Sequence, residues 1–263
     1  NIRSKPHCKL GCKIMKALLA TLFALCSALA AFAEADSAML FIHTARNNPA
    51  ITKNGKNFSA NAFEKAEGFV IECKDNQSAY IVLSNKSSIK VAGPAKLKIE
   101  KFWQESPVVF DKNTAYESQK TLTEISIESG TVFFLNPQFR PSSEFIVKTP
   151  HGEYDLRSQS AIFSVGENED KVSLLDKSAR LLRNKTFEKL LAGGETWSVK
   201  PAKSGGVNAV SRPLILGGEK PFADLKTAFD TVIITSNNGK LSPERILPKT
   251  LLGDKPKHTR YSK

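Results

Sequence analysis

Cysteine is nearly missing from the body of this chain. Of four cysteines in 263 residues, Cys8, Cys12 and Cys26 lie before residue 34, and only Cys73 follows. A disulfide framework needs pairs, so none holds the body of one molecule together. Cys73 closes the apolar run Gly68–Cys73 and reads as a small buried hydrophobe, not a reactive thiol. Histidine is equally thin. Beyond residue 34 there are His43, His151 and His258, in a strand, a turn and the tail. One cysteine and three scattered histidines do not supply the four N/S ligands of a structural zinc site. The chain has no G-x-S-x-G elbow, no phosphate-binding loop and no G-x-G-x-x-G. Gly193-Gly194 and Gly217-Gly218 are turn material. These absences predict no catalytic residue, no metal and no cofactor.

Two weaker chemistries remain. Glu153 and Asp155 sit two apart and would share one strand face, a spacing compatible with paired-carboxylate work and equally with a solvated face. Glu167-Asn168-Glu169-Asp170 offers oxygen ligands of the kind calcium takes, or an ordinary hydrated turn. Trp103, Trp197, Tyr80 and Tyr154 would make a sugar-stacking platform only if exposed together. Packing is the commoner fate of so few large aromatics.

The net charge of +12 suggests nucleic acid until it is located. Residues 1–33 carry +5, residues 34–197 carry 21 basic and 21 acidic side chains, and residues 198–263 carry +7. A nucleic-acid module concentrates cations on a folded face, so this distribution predicts no nucleic-acid partner. The basic tail is left for anionic surfaces or polysaccharide.

What is present begins with a leader. Lys13-Ile14-Met15-Lys16 precedes the apolar run Ala17–Ala33, which ends in small residues at Ala31 and Ala33. Basic segment, apolar core and A-x-A ending are the parts of a secretory signal peptide. The run of about 17 residues is short for a spanning helix, which needs roughly 20. Cleavage after Ala33 is the reading, with an uncleaved anchor as the alternative. Met15 reads as the initiator, which makes residues 1–14 an over-extended start. Leu25 is too large to precede a lipidated Cys26. Export to the periplasm or beyond follows.

From residue 34 the pattern is of short apolar bursts cut by Gly, Pro, Asn and Asp, the mark of many strands. Residues 34–67 give a first strand near Ala38–His43 and a polar lead-in with the Asn54-Gly55 turn. Strands follow at Phe69–Cys73, Ala79–Leu83, Ser88–Val91 and Leu97–Phe102, with Gly93-Pro94 read as a break between the last two. A bulge near Phe102-Trp103 is needed to bury an aromatic. Ile125–Ile127, Thr131–Leu135, Ser142–Thr149, Tyr154–Leu156, Ala161–Val165, Val172–Leu175, Ala179–Leu182 and Glu195–Val199 continue at the spacing of sandwiches, barrels and β-solenoids. Phe187–Leu191 fits a helical turn and a strand equally. Phe69–Val91 is faintly echoed by Phe145–Val165, which would suit two stacked related halves. After Val199, Lys200–Gly206 reads as a linker. Pro221–Val232 carries apolar residues at helical spacing, and the rest is a basic tail expected to be disordered.

Several of these stretches resemble one family. Ser129-Gly130-Thr131-Val132 is similar to the G-x-V entry strand of the FecR-like domain, the periplasmic domain of iron-dicitrate-type transmembrane regulators. Val147-Lys148-Thr149-Pro150 with Leu156-Arg157 resembles its x-T-P … V-R/K segment. Phe163-Ser164-Val165 resembles its F-x-V strand, and Leu191-Ala192-Gly193-Gly194-Glu195 its closing L-x-A-G-E turn. Ala79–Val91 resembles its preceding strand pair. The resemblance covers about residues 68–199. It departs where Ser158-Gln159-Ser160-Ala161 stands in place of the family's Gly-Thr. It implies an elongated β-solenoid-like domain that signals by protein contact. The anti-sigma segment and internal membrane helix of typical regulators are not visible, so that role does not transfer.

The expectation is therefore an all-β, elongated solenoid- or sandwich-like domain of many short strands at 68–199. It follows a leader at 1–33 and a lead-in at 34–67, with a linker, a short helix and a basic tail at 200–263. The expected function is non-enzymatic, through a protein partner in the cell envelope. The alternative is a cell-surface polysaccharide-binding module.

Overall fold

The computed structural model describes residues 39–59, 62–105, 117, 119–202, 206–214, 234–237 and 240–243. The expected leader, the segment 221–232 and the basic tail beyond 243 lie outside them. The described residues are all-β, and they belong to the compact unit Ser37–Lys263.

Two-residue alternation builds the strands, because successive side chains leave a pleated backbone on opposite faces. Along Thr121–Ile127 the odd positions are buried and the even ones half-exposed, and Ala161, Phe163 and Val165 repeat this. The strands are β1 (Met39–Arg46), β2 (Ala50–Lys53), β3 (Lys56–Asn57), β4 (Ala62–Lys65), β5 (Phe69–Cys73), β6 (Ser78–Leu83), β7 (Ser88–Gln104), β8 (Thr121–Leu135), β9 (Glu144–Lys148), β10 (Glu153–Leu156), β11 (Ser160–Val165), β12 (Asp170–Leu174), β13 (Ser178–Arg183), β14 (Thr186–Ala192), β15 (Glu195–Pro201) and β16 (Val207–Pro213). All sixteen join one sheet; β17 (Ile234–Asn237) and β18 (Lys240–Pro243) form a separate hairpin. Among the described pairs, only β8 with β9 is parallel.

The sheet is folded over along its two long central strands. The first half of β7 pairs with β6 and with the second half of β8; the second half of β7 pairs with β5 and with the first half of β8. One layer therefore runs β4-β1-β6-β7-β8-β11-β12-β15-β16, and the other β3-β2-β5-β7-β8-β9-β10-β13-β14. Phe145 of β9 is paired with Thr123, yet its ring lies 5.6 Å from that of Phe134, eleven residues further along β8. Eleven extended residues would span roughly 36 Å, so β8 must turn back on itself. Tyr154 and Phe163 meet across the layers at 5.2 Å, edge to face. Their inner faces, with Ile71, Leu97, Ile99, Ile125, Val132 and Val172, make one buried core.

The fold line lies at Gly93-Pro94 in β7 and Gly130 in β8. Gly130 has φ +88°, and a Cβ there would fall 2.1 Å from the Pro94 carbonyl oxygen. Only glycine tolerates that combination. A Cβ on Gly93 would fall 1.8 Å from the carbonyl oxygen of Lys74. The expected break at Gly93-Pro94 is thus a bend inside a single strand, because β8 continues to supply partners on both sides. Ile125–Ile127 and Thr131–Leu135 are likewise one strand. The bulge near Phe102 is present: the register shifts between Ile99 and Lys101, which leaves Lys101 exposed and buries Phe102.

Of the two patterns that Phe187–Leu191 fits, the strand is the one present, within β14. Two differences appear. The sheet runs past Val199, since β15 reaches Pro201 and β16 pairs along it from Pro201↔Val207 to Glu195↔Pro213. The faint echo is not a structural repeat, because β6 lies in the layer of β1 while its counterpart β10 lies in the other. The Asn54-Gly55 turn has φ of 49° and 77°, the two-residue hairpin geometry its sequence predicts, and Asn184-Lys185 does the same with 49° and 64°.

Candidate interaction surface

The carboxylate pair on β10 is divided between two environments. Asp155 is buried, and its Oδ2 accepts from Arg157 Nε (3.2 Å) and Nη2 (2.9 Å) and from Arg180 Nε (2.8 Å) and Nη2. Arg157 Nη1 also donates to the Ser143 carbonyl at 2.8 Å. Asp155 is thus a clamp joining β10, β13 and the β8–β9 connection. Glu153 is half-buried at a pairing position opposite Lys148 and Leu182. With one member clamped by two guanidiniums, the pair is not arranged for acid–base exchange.

The acidic turn is consumed by its neighbours. Glu169 accepts from the Ser198 hydroxyl at 2.6 Å and from Lys200 at 3.2 Å, which holds its carboxyl down at about 2. Asp170 is buried; its Oδ2 accepts from the hydroxyls of Thr149 and Tyr154, the latter at 2.6 Å. Burial pushes the carboxyl of Asp170 and the hydroxyl of Tyr154 upward. His151, in the β9–β10 turn, contacts the Gly166 carbonyl through Nε2 at 2.9 Å. These contacts lace one turn of each layer together. Among the described residues no group of three His, Cys, Asp or Glu side chains is placed to hold a metal ion. Cys73 is buried, and burial pushes its thiol up to about 12. Tyr80, Tyr154 and Trp197 are buried and Trp103 is half-buried, so these rings form no exposed stacking platform. His43 lies in β1, and His258 lies outside the described residues.

The exposed apolar surface lies elsewhere. Among the described residues, the large exposed hydrophobics are Phe187 (57 %), Leu190 (53 %) and Val210 (70 %). Phe187 and Leu190 belong to β14 and Val210 to β16, the last described strand of each layer at one end of the sandwich. The register of β13 with β14 shifts at Leu181/Leu182, so Glu188 is extra: Leu182 pairs with Phe187 and Leu181 with Lys189. This bulge puts Phe187 and Leu190, three residues apart, on the same outward face. That is helical spacing on a strand, and it explains why this stretch fits both patterns. Lys189 points inward instead, opposite buried Leu181. Its Nζ sits 5.0 Å from the Trp197 ring centroid and donates to the Ala209 carbonyl at 2.7 Å. Glu188 accepts from the Val207 amide at 3.4 Å. The end of the core is closed by two polar side chains of β14 reaching across to β16.

No protein-family model and no curated protein sequence matches the chain. Two crystal structures of candidate anti-sigma factors from Parabacteroides distasonis ATCC 8503 are similar in structure. The first, at 1.65 Å resolution, is 13 % identical over 59 % of this chain and 64 % of its own, with a TM-score of 0.41. The second, at 2.50 Å, is 10 % identical over 70 % and 65 %, with a TM-score of 0.34. The chain thus spans just under two thirds of the length of each. The functional reading rests on the chain's own residues.

Proposed function

We propose that this is a non-enzymatic, exported FecR-like domain that acts in the cell envelope by binding another protein at the β14/β16 end. The carrying observation is that the large exposed hydrophobics among the described residues, Phe187, Leu190 and Val210, all lie on the last described strand of a layer, on its outer face. An aromatic and two aliphatic side chains left in water at one end are the kind of anchors that protein interfaces bury. Among the described residues no other large hydrophobic is exposed, so these three are not a spill-over from a crowded core. The leader at 13–33 supports export, and the FecR-like motifs support a protein partner. In the fold those motifs mark the bend at Gly130, the inward Phe163 of β11 and the turn from β14 to β15.

The test is the double variant Phe187→Ser/Leu190→Ser. Both side chains are exposed, so the unfolding free energy should move by only about 0.5 kcal/mol. Affinity capture from the envelope fraction, quantified against wild type, should lose its specific partner at least tenfold. Retention of the same partner at wild-type yield would sink the reading.

A further inference from the structure

The two end strands are not equivalent, and the difference points to the form of the partner. In β14 the ladder is broken by the bulge at Glu188, and Lys189, though exposed, sits on the inner side over the Trp197 ring. Bulges and inward charges keep a strand edge from pairing with another chain. β16 has neither: its seven residues pair in unbroken register with β15.

The direction of the β16 backbone follows from its flanking bonds. Ala202 N donates to Gly206 O at 2.7 Å, and Leu214 N donates to Gly194 O at 3.0 Å. In an antiparallel ladder, hydrogen-bonded pairs alternate with non-bonded ones. The pairs 200/208, 198/210 and 196/212 are then the bonded ones between those limits. The amides and carbonyls of Val207, Ala209 and Ser211 must therefore point away from β15, to an edge that no described strand covers. Two of them are met by side chains of β14: Val207 N–H by Glu188 and Ala209 C=O by Lys189. Glu188 and Lys189 are themselves exposed, so water can take over their side of each contact and an incoming strand displaces them at small cost.

We infer that β16 is a strand-addition site for an extended segment of a partner protein that carries an aliphatic side chain opposite Val210 and a carboxylate opposite Arg212. This rests on the proposed protein-binding end and specifies its mode. An added strand would replace the two side-chain bonds with backbone bonds to Val207, Ala209 and Ser211. Its outward side chains would lie beside Val210 and Arg212, which line a shallow groove of about 310 Å³ with Lys171 and Ser198. Lys171 and Lys200 add cations whose side chains are 52 % and 56 % exposed. Glu169 between them is engaged by Ser198 and by both lysines, and one carboxylate does not balance Lys171, Lys200 and Arg212 together. The surplus on this face is positive, which selects an acidic segment over a basic one.

The experiment uses the full chain and a fluorescein-labelled ten-residue peptide of alternating valine and glutamate/threonine, with a lysine-for-glutamate control. The acidic peptide should bind saturably, better than the lysine control, and should slow hydrogen exchange at the Ala209 and Ser211 amides. Ala209→Pro removes an edge-facing N–H that the ladder to β15 does not use, a position where proline is tolerated. It should weaken binding at least tenfold with an unchanged unfolding midpoint. Should that variant fold poorly, Arg212→Glu tests the same site through a surface side chain and should reverse the preference between the peptides. No binding, equal binding by Ala209→Pro, or protection on β14 instead of β16 would overturn strand addition. A partner lost by Phe187→Ser/Leu190→Ser but kept by Ala209→Pro would overturn the mode alone. One kept by both variants would overturn the binding end as well.

Discussion

Asp170 carries an unequal load on its two oxygens. Oδ2 accepts from Thr149 and Tyr154, while Oδ1 is buried with no hydrogen-bond partner. A charged oxygen without a donor in the interior costs free energy, which is why burial raises this carboxyl above its ordinary 3.8. The folded state therefore holds the proton more tightly than the unfolded chain does. Stability from this group is greatest below the unfolded value and is lost as pH rises through the folded one, the reverse of an ion-paired aspartate. Asp170→Asn keeps an acceptor for the two hydroxyls and removes the charge. Relative to wild type, the variant should be more stable at pH 7.5 than at pH 4.5, read from urea midpoints at both. An equal difference at the two pH values would contradict the assignment.

At the scale of the element, the long bent strands carry the fold, and they show what a sequence discloses. Period-two alternation made nearly every strand from Phe69 to Val199 legible, because burial on one face repeats every second residue. The bends were not legible. Gly93-Pro94 interrupts alternation in the same way whether the chain leaves the sheet or folds within it; the difference lies in whether β8 is still there to pair. The β14 surface was hidden by its bulge, and the equal fit of Phe187–Leu191 to both periods was its one visible sign. β16 was hidden because Val207-Asn208-Ala209-Val210-Ser211-Arg212 follows Gly205-Gly206 and lacks a second apolar partner on its outward face. The bend makes its own prediction. Gly130→Ala forces a side chain into the Pro94 carbonyl at positive φ, and should cost about 2–4 kcal/mol in urea unfolding. A Gly130→Ala variant as stable as wild type would mean that β8 does not turn there.

Across the whole sheet, the chain after β8 adds hairpins to alternate layers: β9–β10 to one, β11–β12 to the other, then β13–β14 and β15–β16. Nothing in that scheme sets its own length, since each new pair exposes an inner face that the next would cover. The stop is local. Lys189 occupies the inward position where Leu181 stands on the strand before, and it ties β14 to the Ala209 carbonyl above Trp197. A cation at the end of an apolar core keeps water there and opposes further stacking. Lys189→Leu should remove that barrier, leaving an apolar inner position flanked by exposed Phe187, Leu190 and Val210 on the outer faces. Two such ends are identical surfaces, and they would meet by two-fold pairing. The variant is expected to sediment as a dimer in a concentration-dependent way under conditions where wild type does not change with concentration. If both sediment alike across the accessible range, Lys189 is not what ends the stack.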